Sequence, residues 1–217
     1  MLMERRAVRR PQRPRETTVR KREEILRAAT ATFGNRGYKN GSLAEIADQV
    51  GITHTGVLHH FGSKDQLLLE VLAFRDRTDV EQLEDAHVPG GLELFRHLVA
   101  TARRNAGRPG LVQTYTVLSA EAVTDGHPGK DYFRERYTTL RGLVADALRE
   151  VCADDDPPPD RDVDAAAAAV LAVMDGLQVQ WLLEPGRVDL PHASAFAIEA
   201  ILSAAVHGRR RASLLDP

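Results

Sequence analysis

Apolar residues recur along this chain with helical spacing, and no stretch alternates in the manner of a strand. Ile25, Ala29 and Phe33 fall four apart with Leu26 beside them, so a first amphipathic helix is expected from near Thr17 to a stop at Gly37. Leu43, Ile46, Ala47 and Val50 take positions i, i+3, i+4 and i+7, the complete buried face of a short second helix that Gly51 ends. Ser42 and Glu45 stand three apart at its start, the spacing of a reciprocal capping box. Thr53 is the expected N-cap of a third helix running to Phe61, with Val57 and Phe61 turned inward and Gly62 as its stop. A second capping-box sequence, Ser63-Lys64-Asp65-Gln66, opens a fourth helix whose buried side is Leu67, Leu68, Val71, Leu72 and Phe74.

Longer helices are expected over about 92–104, 111–123, 131–153, 163–183 and 192–207. Breaks fall at Arg108-Pro109-Gly110, at Asp125 to Gly129, across the Pro- and Asp-rich stretch 154–160, and at Pro185-Gly186. Few aromatics and abundant Ala and Leu agree with an all-α fold. A tail from Gly208 is expected to fray. The organisation expected is a basic arm over 1–16, a three-helix helix-turn-helix head over 17–64, and a helical C-terminal body over 65–217.

Charge sharpens this division. The formal net charge of −2 conceals a segment 1–64 at +7 and a remainder at −9. The first can hold phosphates, and the second would repel them. Arg5, Arg6, Arg9, Arg10, Arg13 and Arg15, interrupted by Pro11 and Pro14, lack apolar periodicity and read as a disordered arm. No apolar stretch follows the arm, and the run Ala165 to Met174 is too short to cross a bilayer, so a cytoplasmic protein is expected. Cys152 is the single cysteine, which rules out an intrachain disulfide. No nucleophile elbow, phosphate loop, H-E-x-x-H or C-x-x-C occurs, so neither an enzyme nor a cofactor is expected. His54, His59 and His60 do not share one helical face, and no carboxylate or cysteine completes a set, so no metal is expected there.

What the third helix leaves outward is His54, Thr55, Gly56, His59 and His60, a polar set of modest size such as the major groove requires. Gly56 costs a short helix roughly 1 kcal/mol against alanine, a cost that close approach to DNA would explain.

The stretch Ala29-Thr30-Ala31-Thr32-Phe33-Gly34-Asn35-Arg36-Gly37-Tyr38, then Ser42 to Ala47, Val50-Gly51-Ile52-Thr53, and Gly56 to Lys64, resembles the DNA-binding head of the TetR family over about residues 17–74. The resemblance implies a third helix lying in the major groove and a fourth helix joining the head to an all-helical dimeric body. It implies that His54, Thr55 and His59 face bases, that Gly56 and His60 lie near the backbone, and that Ser42 and Lys64 meet phosphates. Helix N-termini and lysine are natural phosphate partners, and Thr53 starts the reading helix. The family usually carries a tyrosine where this chain has Leu58; leucine has no hydrogen bond to donate, which leaves inward packing or a thymine methyl.

In the body, Tyr132 to Tyr137 and Asp175 to Leu183 are similar to segments of one actinobacterial-type subgroup. The resemblance implies a dimer through the last two long helices, where an Ala-rich run suits close helix approach. It also implies a pocket between the middle helices, with Tyr115, Leu118, Phe133, Tyr137, Met174, Gln178 and Trp181 as candidate liners for a small apolar or amphipathic effector. The function expected is a regulator of transcription that binds a palindromic operator as a homodimer and is released by a small molecule. The alternative is an architectural or division-linked DNA-binding protein with no effector.

Overall fold

The computed structural model describes residues 14–80, 89–152 and 158–207. Among these residues there are nine α-helices and no strand. They are α1 (Pro14–Asn40), α2 (Leu43–Gln49), α3 (His54–Phe61), α4 (Lys64–Val80), α5 (Gly91–Ala106), α6 (Pro109–Glu121), α7 (Lys130–Val151), α8 (Asp160–Leu183) and α9 (Leu190–His207). The arm expected over 1–16 lies outside the described residues as far as position 13, and the tail from Gly208 lies outside them too. α1 begins at Pro14 rather than near Thr17, and proline is at home in a helix's first turn.

Local chemistry sets the boundaries of the head. Gly37, at φ 72° and ψ 172°, interrupts α1 where a stop is expected, and the chain resumes a short turn to Asn40. Ser42 Oγ accepts the N–H groups of Ala44 and Glu45 at 3.2 and 3.4 Å, the forward half of the capping box. The return half is replaced: the Glu45 carboxylate pairs with Arg36 at 3.0 Å, tying α2 back to α1. Thr53 caps α3 through Gly56 N–H at 3.1 Å, and Ser63 Oγ accepts from Gln66 N–H at 3.0 Å to start α4.

One core joins the head to the body. Ile25, Phe33, Ile46, Val57 and Phe61 pack with Leu67, Leu68 and Leu72 of α4 and with Tyr115, Leu118 and Phe133 of α6 and α7. Leu58 is half-buried against this core, which accounts for a leucine at that position. α6 lies along α1, and Thr114 Oγ1 donates to the Thr30 carbonyl at 2.8 Å. A second core gathers Leu94, Phe95, Val144, Leu148, Val170, Leu171 and Met174, and a third gathers Ala102, Val112, Trp181 and Leu190.

The run Ala165 to Met174 sits inside a 24-residue helix. That helix contains a window of mean hydropathy 1.5, long and apolar enough by composition to cross a membrane. Val163, Ala167, Val170, Leu171 and Met174 bury one of its sides in the second core, and Trp181 anchors its end in the third. Its opposite side is exposed at Ala165, Ala168, Ala172, Val179 and Leu183, and α9 exposes Phe196, Ala200 and Val206.

Candidate nucleic-acid interface

α3 has eight residues, too few to be stable alone, so outside contacts must hold it. Val57 and Phe61 are buried, which fixes its rotation about its own axis. His54, Thr55 and His59 are consequently exposed, and Thr53 and Ser42 are exposed at the starts of α3 and α2. Gly56 and His60 are half-buried. A Cβ at Gly56 would meet Thr53 Oγ1 at 3.4 Å and Ile52 at 3.5 Å, ordinary contacts, so nothing inside the protein demands glycine there. Burial holds the His60 ring below the usual histidine range, and His59, Arg22 and Lys21 act in the same direction. Lys64 Nζ donates to the Lys39 carbonyl at 3.1 Å and stands 4.6 Å from the centre of the Tyr38 ring. Burial lowers its pKa, opposed by Asp65 and Glu121. Among the described residues, no three His, Cys, Asp or Glu side chains are placed to hold a metal ion.

Beside that shared apolar core, the joint between head and body carries a polar cluster around Tyr38. Glu121 of α6 accepts the Tyr38 N–H at 2.7 Å, and the Tyr38 hydroxyl donates to Asp65. The His127 ring packs edge-on against Tyr38, with centroids 5.2 Å apart. Its Nδ1 accepts the Gly129 N–H at 3.1 Å, which places the proton of the neutral ring on Nε2. That nitrogen is buried without a hydrogen-bond partner, 4.0 Å from Glu121 Oε2. Burial pushes the His127 pKa down, and Glu121 and Asp65 pull it back up. The folded protein therefore prefers the neutral ring, while the unfolded chain takes its proton at about pH 6.5. The stability held by the neutral ring is complete above that pH and is lost as pH falls below it. Thermal melts from pH 7.5 to 5.5 should show a steeper fall for the wild type than for His127→Gln; parallel profiles would reject this assignment.

The expected effector liners are spread through the body. Tyr115, Leu118 and Phe133 lie in the first core, Met174 in the second and Trp181 in the third. Tyr137 packs against the first two cores, and Gln178 is buried on α8. Tyr115 lines a small cavity, with room for about one water, beside Thr30, Val71, Leu72, Arg75, Leu111 and Thr114.

Around Tyr115 is a nest of charge that the sequence reading missed. The Arg75 guanidinium, 8% exposed, lies 3.7 Å from the Tyr115 ring centre, and Arg136 lies 5.2 Å from it. Arg136 pairs with Asp76 at 2.5 Å, and Asp76 also accepts from the Tyr132 hydroxyl. The Tyr137 hydroxyl donates to Asp175, whose pKa burial raises against the pull of that bond and of both arginines. Arg75 continues the buried stripe of Leu68, Val71 and Leu72, so a charge at a core position was the available signal.

The chain matches the model of the bacterial regulatory proteins of the tetR family over residues 25–71, and that of the BetI-type transcriptional repressor C-terminal region over 93–207. It is 29% identical to the probable HTH-type transcriptional regulator ArpR of Pseudomonas putida, covering 82% of this chain and 88% of that protein. It is 32% identical to the HTH-type transcriptional repressor KstR2 of Mycolicibacterium smegmatis, covering 71% and 75%. Its fold is similar to that of SmeT, the repressor of the Stenotrophomonas maltophilia multidrug efflux pump SmeDEF, at a TM-score of 0.67 and 19% identity over 90% of this chain and 96% of that one. SmeT bound to triclosan has a TM-score of 0.66 and 20% identity, over 91% and 98%.

Proposed function

This chain belongs to the tetR family of bacterial transcriptional regulators, and from that premise we propose that it is a repressor that binds a near-palindromic operator as a homodimer and is released by a small molecule. The family is one of regulators rather than enzymes. The observation that carries the proposal is α3, a capped helix anchored by Val57 and Phe61 that turns His54, Thr55 and His59 outward together. These three read base edges, and Gly56 and His60 pass close to the DNA backbone. Ser42, Thr53 and Lys64 stand at helix starts, where phosphates are held. Residues 17–64 act as the reading head and 65–217 as the body, with α4 as the link and the arginines of 1–16 adding affinity for phosphate. The protein acts in the cytoplasm, where the DNA is.

A second copy covers the exposed small and apolar stripe of α8 and α9, which sets the two heads apart by about one turn of DNA. An effector enters the body near Tyr115 and the liners Leu118, Phe133, Tyr137, Met174, Gln178 and Trp181. A change in head spacing then becomes lost affinity. The dispersal of those liners among three cores favours, as a second reading, an architectural DNA-binding protein without an effector. A thermal-shift screen with apolar and amphipathic compounds separates the two, because a bound ligand raises the melting temperature.

The direct test is selection of bound duplexes from a random pool at near-physiological salt. A two-fold symmetric site should emerge. His59→Ala should relax one position in each half-site, at a cost of about 1–3 kcal/mol. Lys64→Ala should weaken all sequences alike and reduce the salt slope by about one. A pool left unenriched would remove sequence-specific regulation from consideration.

A further inference from the structure

Two adjacent basic residues of α1 reach the ends of both helix-turn-helix helices. Lys21 Nζ donates to the Val50 carbonyl at the C-cap of α2, at 3.2 Å. Arg22 Nη1 donates to the His60 carbonyl in the last turn of α3. A helix C-terminus leaves carbonyls unpaired and carries partial negative charge, so a cation there satisfies both needs. Arg22 does more than cap. Its guanidinium carbon lies 4.2 Å from the centre of the Phe61 ring, and its second terminal nitrogen, Nη2, pairs with Glu70 of α4 at 3.3 Å. One half-buried side chain thus touches α3 twice and α4 once. Only a planar fork does this; lysine offers a single point charge.

We propose that Arg22 is a positioning residue that makes no DNA contact of its own: it fixes the C-terminal end of α3 against α4 and so sets the angle at which His54, Thr55 and His59 meet the groove. This rests on the reading of α3 as the recognition helix. By charge and location Arg22 would otherwise count as a phosphate contact, yet Nη1 is engaged by the His60 carbonyl and Nη2 by Glu70. Because α4 runs from the head into the body, Glu70–Arg22–His60 is also a route by which a shift of α4 reaches the reading helix.

The experiment uses the full-length protein, a duplex selected by the wild type and a scrambled duplex of the same composition. Binding is titrated between 50 and 200 mM salt, well below the melting temperature. Arg22→Gln should weaken the selected duplex by about 10–30-fold and the scrambled duplex by less than about 2-fold, with the salt slope unchanged. Arg22→Lys should lose most of the same selectivity, because charge without the fork cannot bridge α3 and α4. Glu70→Gln, which keeps the head assembled if Arg22→Gln does not, should weaken the selected duplex by about 3–10-fold. Removing a negative charge near DNA would by electrostatics alone strengthen binding, so the two accounts predict opposite signs for this variant. Equal weakening of both duplexes with a slope reduced by about one would make Arg22 a phosphate contact and overturn the proposal. Full rescue by lysine, tighter binding by Glu70→Gln or unchanged selectivity would also overturn it. A wild type that selects no sequence brings down the recognition-helix reading instead, a result distinct from selective binding that Arg22→Gln leaves intact.

Discussion

Gly37→Ala should destabilise the protein by about 2–6 kcal/mol and lower its melting temperature by on the order of 5–20 °C. Two independent costs combine. The backbone at Gly37, φ 72° and ψ 172°, lies in a region essentially reserved for glycine, so a side chain there is strained by about 1–3 kcal/mol. The new Cβ would also fall 2.0 Å from Glu121 Oε1. The carboxylate can swing away, but it then abandons the Tyr38 N–H, which it accepts at 2.7 Å, and a part-buried donor left alone costs about 1–3 kcal/mol. Gly142→Ala is the natural control. Gly142 is an exposed helical position in α7 with no atom near its missing Cβ, and alanine there should stabilise by about 0.5–1 kcal/mol. Differential scanning calorimetry of the two variants should give shifts of opposite sign. A shift under 2 °C for Gly37→Ala would mean that the joint relaxes freely around a side chain.

The double variant Leu183→Glu with Phe196→Glu should convert the protein to a monomer and reduce its affinity for a selected operator by about 100-fold or more. Both residues are large, apolar and 77% and 70% exposed in the single chain, so charge there does not disturb the chain's own core. In a dimer covered through α8 and α9 the same positions are buried, and two unpaired carboxylates facing their copies cannot be desolvated cheaply. A head alone reaches one half-site and loses the effective concentration that its tethered twin provides. Sedimentation velocity reads the mass and anisotropy reads the affinity. A variant that stays dimeric would move the interface off this stripe.

Sequence pattern is a good guide to α2, α3 and the start of α4, because each has a cap, a stripe and a stop within a few residues: Ser42 to Gly51, Thr53 to Gly62, and Ser63 onward. Side-chain partners far away in sequence are harder to read. Glu45 looks local but is claimed by Arg36, and Arg22 looks like one more solvated arginine until α3 folds back onto it. Tyr115, Leu118, Phe133, Met174 and Trp181 share the apolar spacing of pocket liners and of core residues, and periodicity alone cannot divide the two. Arg75 and Asp175 were better clues, because a charge within a buried stripe must meet partners from other helices. The apolar run Ala165 to Met174 is flanked by aspartates, yet the helix extends through both, since Asp164 is exposed to solvent and Asp175 is held by Tyr137.

The eight-residue length of α3 has a consequence for how the proposed reading surface is lost. Its start is held by Thr53, its middle by Val57 in the core, and its end by Phe61 and Arg22, so each support comes from outside its own hydrogen-bonded turns. A segment of this kind has no melting transition of its own and unfolds with the unit it leans on. On the proposed reading, α3 is then either folded, presenting His54, Thr55 and His59 together, or unfolded, presenting none of them. On that reading, loosening the first core should dim recognition of every base at once rather than blur the operator one position at a time.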